Sequence, residues 1–155
     1  RMKRRHSRAD AVRTVERIKT ARPDATIGAD LISGFPTESE DMHRNNLKLL
    51  GDCDIVAAHI FPFSARPATP AARMPQVEPA TIKARAAELR EAAARRRSHW
   101  LDGLVGSTLP VLIENGGKGH SDQFAPVAIA GARRGDAGPM RVTGRDGDLL
   151  TGVWA

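Results

Sequence analysis

The chain has 155 residues, enough for one ordinary domain or for part of a domain with a small module. Its 24 Lys and Arg against 18 Asp and Glu favour a polyanionic partner, nucleic acid first and an anionic membrane second. No apolar run approaches the roughly 20 residues of a membrane-spanning helix, and no signal peptide is visible, so we expect a cytoplasmic protein.

Residues 7–61 alternate between helical and extended patterns. Two capping-box spacings, Ser7 with Asp10 and Thr37 with Glu40, each predict the start of a helix. Two short apolar runs predict buried strands. In chain order, the prediction is a helix from Ser7 to Arg22-Pro23, a strand over 25–32, a helix from Thr37 to about Leu50 and a strand over 53–61.

This order of elements predicts parallel strands joined by crossover helices. A parallel sheet needs both faces covered, and two strands do not complete one. We therefore expect these residues to be a piece of a larger α/β unit. Cys53, the only cysteine, is predicted to be a small buried hydrophobe, because a lone cysteine makes neither an internal disulfide nor a cysteine metal cage.

The rest of the chain predicts a loop, a long helix and a small barrel. The proline-rich segment 62–79 predicts a loop, and an apolar stripe predicts one helix over 81–104. The arginine triplet 95–97 is predicted to lie on a solvated helix face. A domain boundary is predicted near Leu104. Short strands of a β-barrel are then predicted over 108–114, 125–130, 140–143 and 149–154.

Three segments carry longer motifs: M-K-R-R-H-S-R at 2–8, D-L-I-S-G-F-P-T-E at 30–38, and H-I-F-P-F-S-A-R-P-A-T-P-A-A-R-M-P at 59–75. Together they resemble the radical S-adenosylmethionine methylthiotransferases, which add a methylthio group to tRNA or, in one branch, to a ribosomal protein. The third segment is the most specific and favours the branch that modifies threonylcarbamoyladenosine beside the anticodon. The isopentenyladenosine branch is the alternative.

The tail resembles a TRAM module, a small barrel that binds RNA, at L-V-G-S-T-L (104–109), G-H-S-D (119–122) and L-T-G (150–152). The resemblance therefore implies an α/β fold in two parts. Residues 1–104 would be the C-terminal part of a radical S-adenosylmethionine barrel, a partial TIM-like barrel with a long C-terminal helix. Residues 105–155 would be an all-β, OB-like TRAM barrel.

The resemblance also implies cofactors and a partner. The cofactors are S-adenosylmethionine and 4Fe-4S clusters, whose ligands would lie upstream, because Cys53 alone cannot supply three thiolates. The partner is the tRNA anticodon region, the full-length protein is expected to be a monomer, and this fragment is expected to be inactive alone. Thr37 and Ala68 stand where the family has glycines, so both loops are expected to be altered.

The implied cofactor-binding residues begin with Arg4, whose guanidinium suits the methionine carboxylate of S-adenosylmethionine. Asp30 would lie near the amino or ribose groups, at the outgoing end of its strand. Ile32 and Gly34 would pass close to the adenine. The set is completed by Phe61, Phe63 and Ser64.

Each of these residues has a plainer interpretation. Arg4 fits a surface arginine, Asp30 a capping carboxylate and Gly34 an ordinary turn glycine. One of the two phenylalanines fits a core position, because they alternate at strand spacing. His59 is predicted to be a core histidine.

For RNA, Arg66 is expected to face a phosphate or the cosubstrate. Lys118, His120, Arg133 and Arg134 are expected to contact tRNA phosphates, with solvated loop charges as the plainer interpretation. Two other hypotheses remain open: a non-catalytic RNA-binding protein, and a fragment with no function of its own.

Overall fold

The computed structural model describes residues 5–155, in one unit that extends to Arg96 and a second from Arg97 to Ala155. Within the described residues, no helix is both long and apolar enough to cross a membrane. The first unit contains, in chain order, α1 (Arg8–Ala21), β1 (Ile27–Ser33), α2 (Glu40–Asp52), β2 (Ile55–Pro62), a short 3-10 helix (Ala71–Arg73) and most of α3 (Pro79–Leu104).

The predicted capping box at α1 is confirmed. The Asp10 backbone N–H donates to Ser7 Oγ at 3.2 Å, and the Ser7 N–H donates to the Asp10 carboxylate at 2.8 Å. This second bond is the main reason why the pKa of Asp10 lies below its ordinary value. The reciprocal pair satisfies backbone donors that a helix start otherwise leaves free.

The predicted capping box at α2 is wrong by two residues. The N-cap is Ser39, whose Oγ accepts a hydrogen bond from the Met42 N–H at 3.3 Å. Thr37 lies in the preceding turn with φ of 67°, outside the helical region. Thr37 and Ser39 are both residue types that favour an N-cap, and the left-handed conformation at Thr37 leaves Ser39 as the helix start.

The two strands pair in parallel, as predicted, from Ile27 opposite Ile55 to Ser33 opposite Pro62. They are only half buried, so the prediction of fully buried strands is wrong: exposure alternates along both strands. Helices cover one face and leave the other open, within the described residues. The buried cluster on the covered face consists of Leu50, Cys53, Ile55 and Leu89.

Cys53 is 3% exposed, which confirms its prediction as a small buried residue. The arginine triplet differs from its prediction. Arg95 is well exposed and pairs with Glu91, but Arg96 pairs with Asp54 and is two-thirds buried. In the second unit, Arg97 Nε lies 2.6 Å from the Asp148 carboxylate. Only the first of the three arginines lies on a solvated face.

The second unit contains the predicted β-barrel, closed in the order β3-β4-β5-β7-β6. Alternate strand residues fill its interior together with Leu101, from the last turns of α3. The strands are β3 (Thr108–Asn115), β4 (Lys118–Ser121), β5 (Pro126–Ile129), β6 (Ala137–Asp146) and β7 (Leu149–Trp154).

Strand β4 is absent from the prediction because its inward positions carry no apolar side chain. They are Gly119 and Ser121, both buried. A Cβ at Gly119 would lie 1.8 Å from the Leu112 carbonyl oxygen, so only glycine fits where β3 and β4 come together. Hydrophobic periodicity, the signal used to predict strands, does not detect a strand of this kind.

Thr37 and Ala68 keep a left-handed backbone, with φ of 67° and 66°. An L-residue in this region carries steric strain that glycine avoids. Thr37 also buries its hydroxyl without a hydrogen-bond partner among the described residues. Both positions therefore hold, under strain, a conformation that glycine would adopt freely.

We expect Ala68→Gly to raise the free energy of unfolding by up to about 1 kcal/mol, because glycine adopts this backbone conformation without strain. Part of this stabilisation is offset, because glycine increases the conformational entropy of the unfolded chain. Urea unfolding followed by circular dichroism measures the change. Ala87→Gly, the same substitution at an exposed position within α3, should instead lower the free energy by about 1 kcal/mol. Equal losses in the two variants would show that Ala68 is unstrained.

Candidate functional site

The open face of the β1–β2 sheet brings together three of the predicted cofactor residues. Strand register places Asp30 opposite His59, and Ile32 opposite Phe61. Residues two apart along a strand point to the same side, so all four side chains share this face. Asp30 and His59 are exposed, and Phe61 is 51% exposed. The face thus combines a carboxylate and an imidazole near the middle of the two strands with apolar surface closer to their carboxyl ends. The prediction of Asp30 at the outgoing end of its strand is wrong, because β1 continues to Ser33.

The prediction of His59 as a core histidine is wrong. Ala58 and Ile60 are turned to the covered side, and His59 lies between them on the opposite side. Its register partner is Asp30, which stands on the open face. His59 therefore belongs with the candidate site rather than with the core.

A cavity of about 230 Å³ adjoins this face beside β1. Asp30 and Ile32 line it together with His6, which precedes α1, and Asn46 of α2. Arg4, the predicted partner of a cosubstrate carboxylate, lies outside the described residues. The structure therefore places Asp30 and Ile32 on one concave surface and leaves the prediction for Arg4 untested.

The loop after β1 packs tightly on α3. Gly34 has φ of +75°, and a Cβ added there would lie 2.6 Å from Ile82 Cγ1. The helix α3 fills the space where a side chain would stand, so packing alone requires glycine at this position. This requirement holds whether or not a ligand approaches the loop.

A buried ion pair fixes the same loop. The Glu38 side chain is 5% exposed, and its Oε2 accepts the Gly34 N–H at 3.1 Å. Arg85 of α3, 11% exposed, donates to Glu38 Oε1 at 3.1 Å and to the Glu38 carbonyl at 2.9 Å. Its other terminal nitrogen lies 3.1 Å from Glu40 Oε2. One guanidinium thus joins α3, the loop and the first turn of α2.

The sequence prediction did not include Arg85. The available signal was Glu38, a carboxylate inside an otherwise apolar motif, because buried carboxylates require a cationic partner. The prediction also did not include His43, a buried histidine whose Nε2 lies 2.7 Å from Glu88 Oε2. This second contact joins α2 to α3.

The residues after β2 form a separate group. Phe63 donates its N–H to the Ser33 carbonyl at 2.8 Å, and its ring meets Phe35 edge-on, with 5.4 Å between centroids. Phe63 also lines a cleft of about 580 Å³ with Ile82 and Lys83. It therefore packs on the loop after β1, whereas Phe61 remains exposed. Ser64 and Arg66 are exposed on the proline-rich loop.

The predicted RNA-binding residues of the barrel form two pairs. Lys118 and His120 lie on the outer face of β4, and His120 Nδ1 is 2.9 Å from Glu114 Oε2. Arg133 and Arg134 are exposed on the turn between β5 and β6. Among the described residues, no ion pair involves Lys118 or either arginine. Three cationic side chains are therefore available to an anion.

The charge of the chain is not concentrated in the barrel. Residues 97–155 contain six Lys and Arg and six Asp and Glu, so the formal net charge of +6 comes from residues 1–96. Any anion binding by the barrel must therefore depend on local groups rather than on a strong overall field.

The described residues supply no set of cluster ligands. Cys53 is buried at the C-cap of α2, and burial raises the pKa of its thiol. Between residues 5 and 155, no group of three or more His, Cys, Asp or Glu is placed to hold a metal ion.

We expect Arg85→Ala to lower the free energy of unfolding by about 3 kcal/mol, because it leaves the buried Glu38 carboxylate without its cation. Adding Glu38→Gln should recover part of the loss. Arg95→Ala removes an exposed arginine from the same helix and should change stability by less than about 0.5 kcal/mol. Urea unfolding of the parent chain and these three variants forms the test, and equal losses from Arg85→Ala and Arg95→Ala would refute a buried pair.

Comparison with known proteins relates the chain to a group of tRNA-modifying enzymes, although no family model matches it. It is 40% identical, over 83% of the chain and 31% of the relative, to the threonylcarbamoyladenosine tRNA methylthiotransferase MtaB of Rickettsia prowazekii. It is 35% identical to the tRNA-2-methylthio-N(6)-dimethylallyladenosine synthase of Ruegeria sp. strain TM1040, over 98% of the chain and 36% of the relative. The Paracoccus denitrificans protein of the same name is 35% identical over 99% of the chain and 36% of its own length. The chain spans about a third of the length of these relatives.

Proposed function

We propose, from the methylthiotransferase family that these homologues support, that the chain is part of an enzyme that adds a methylthio group to tRNA. The proposed target is N6-threonylcarbamoyladenosine next to the anticodon. In this proposal, residues 1–104 contribute to a radical S-adenosylmethionine barrel and residues 105–155 form a TRAM-type barrel. The full-length enzyme would act as a monomer in the cytoplasm.

The observation that carries the proposal is the shared open face of β1 and β2. In α/β barrels the carboxyl ends of parallel strands form the active site. Ile32 and Phe61 lie next to these ends, and Asp30 and His59 lie two residues before them on the same face, which the described helices leave uncovered. In a longer protein this face would be lined by further strands, which is consistent with the share of the relatives that the chain spans.

The open face fits the organic part of S-adenosylmethionine. Asp30 offers a carboxylate to a ligand ammonium or ribose hydroxyl, and Ile32 with Phe61 offers apolar surface to an adenine ring. Bound S-adenosylmethionine would supply radical chemistry through its cluster. The described residues do not fit a 4Fe-4S cluster, because their one thiol is buried, so we assign no cluster ligand among them.

The two tRNA targets are supported equally by the relatives. The threonylcarbamoyladenosine enzyme has the higher identity, and the dimethylallyladenosine enzymes match a larger share of the chain. We propose the first target because of the motifs H-I-F-P at 59–62 and A-A-R-M-P at 71–75. The second target is the alternative within the same family.

Nucleoside analysis of tRNA separates these targets. Deleting the coding sequence should abolish the methylthio derivative of threonylcarbamoyladenosine and leave that of isopentenyladenosine intact, as measured by liquid chromatography and mass spectrometry. Complementation with the intact gene provides the control. Loss of the isopentenyl derivative alone would assign the other branch, and retention of both would refute a methylthiotransferase role.

A non-catalytic RNA-binding role is the second candidate. The closed barrel favours it, because Lys118, Arg133 and Arg134 have no ion pair within residues 5–155. It predicts unchanged tRNA nucleosides in the deletion strain together with RNA binding by the chain. Each phosphate contact should add about 0.9 to the slope of log affinity against log salt for a duplex, and about 0.7 for a single strand.

A further inference from the structure

The barrel exposes the ring of Phe124 at a cost to its own stability. Phe124 is 75% exposed, the most exposed of the large hydrophobic side chains described. Its φ of 63° lies in the left-handed region, which is strained for a residue with a bulky side chain. The exposed Phe124 side chain packs in no hydrophobic core that would offset the strain of its backbone. Residues in such strained conformations cluster at functional sites.

The surrounding turn holds this ring outward. The Phe124 N–H donates to the Ser121 carbonyl at 2.9 Å, and the Ser121 hydroxyl accepts from the Gln123 and Ala125 N–H groups at 3.2 and 3.1 Å. Ser121 and Ala125 are buried on either side of the turn. The turn is thus anchored at both ends, and its exposed middle presents the ring.

The ring is part of an ordered surface. Phe124 stacks on the His120 imidazole with 4.9 Å between centroids and 25° between planes. Glu114 holds the imidazole from the neighbouring strand at 2.9 Å. Leu112 is 50% exposed and lies directly opposite His120. We call Leu112, His120 and Phe124 the stacking platform.

A cation and an open groove lie beside this platform. Lys118 is two residues before His120 on the same outer face of β4, a spacing of about 7 Å. It has no ion pair among the described residues. It also lines a groove of about 600 Å³ whose walls include Gly116, Gly117, Gly131 and Gly152. Gly116 and Gly131 are exposed and leave the backbone accessible, so the groove suits a ribose-phosphate chain beside a stacked base.

We propose that the stacking platform binds an unpaired nucleobase of a single-stranded RNA segment, with Lys118 facing a neighbouring phosphate. Three side chains are too few for a stable protein interface but match the face of one base. Lys118, which forms no ion pair with any described residue, lies beside a flat aromatic surface, and this combination complements a nucleotide, while the nearby Glu114 carboxylate is bound to His120. This inference rests on the proposed function, because the tRNA-modifying relatives supply the class of RNA.

Binding of a tRNA anticodon stem-loop to the full 155-residue chain tests the platform. Phe124→Ala should weaken affinity about 10-fold or more with an unchanged salt slope, because stacking is not electrostatic. Lys118→Ala should weaken affinity and reduce the salt slope by about 1. Val153→Ala, which trims another exposed apolar residue of the barrel, should leave affinity unchanged.

Phe124→Gly separates binding from folding. Glycine adopts the left-handed conformation freely, so this variant should melt at a higher temperature than the parent while binding RNA as weakly as Phe124→Ala. If the parent binds the stem-loop and both Phe124 variants bind equally well, the platform is refuted and the proposed function stands. If the parent binds no RNA, the platform is refuted together with RNA binding by this chain.

Discussion

The alternation of side chains across a parallel strand pair, with helices on one side only, governs the first unit. On the covered side, Ile55 joins Leu50 and Leu89 in a buried cluster. On the other side, the same period brings Asp30 and His59 into register without cover from the described residues. The features that stabilise the fold and the features that could bind a ligand thus follow from the same two-residue period.

Arg85 links α3 to the loop that follows β1. A carboxylate as buried as Glu38 requires a partner, and the partner comes from the long helix rather than from the loop itself. Because Glu38 in turn accepts the Gly34 N–H, the position of α3 determines the backbone at the end of β1. The conformation of the loop therefore depends on a residue almost fifty positions later in the chain.

Sequence patterns correctly predicted those elements that depend on interactions between residues close together in the chain. Ser7 with Asp10 located a helix start, and the apolar runs located both parallel strands and most of the barrel. Features that depend on distant partners were missed. Nothing in the sequence around Arg85 shows that it pairs with the buried Glu38. Strand β4 has glycine at an inward position where the hydrophobic pattern of a strand requires an apolar residue. Among the site residues, register explains the grouping of Asp30, Ile32 and Phe61, and it also shows why His59 belongs with them.

The buried position of Cys53 has a practical consequence. Its thiol is the only one in the chain, it is shielded by the α2–β2 core, and its raised pKa keeps the reactive thiolate scarce at neutral pH. Thiol-directed reagents should therefore leave the native chain largely unmodified. A cysteine introduced at a chosen surface position could then carry a spin label or fluorophore selectively, without first removing the native residue.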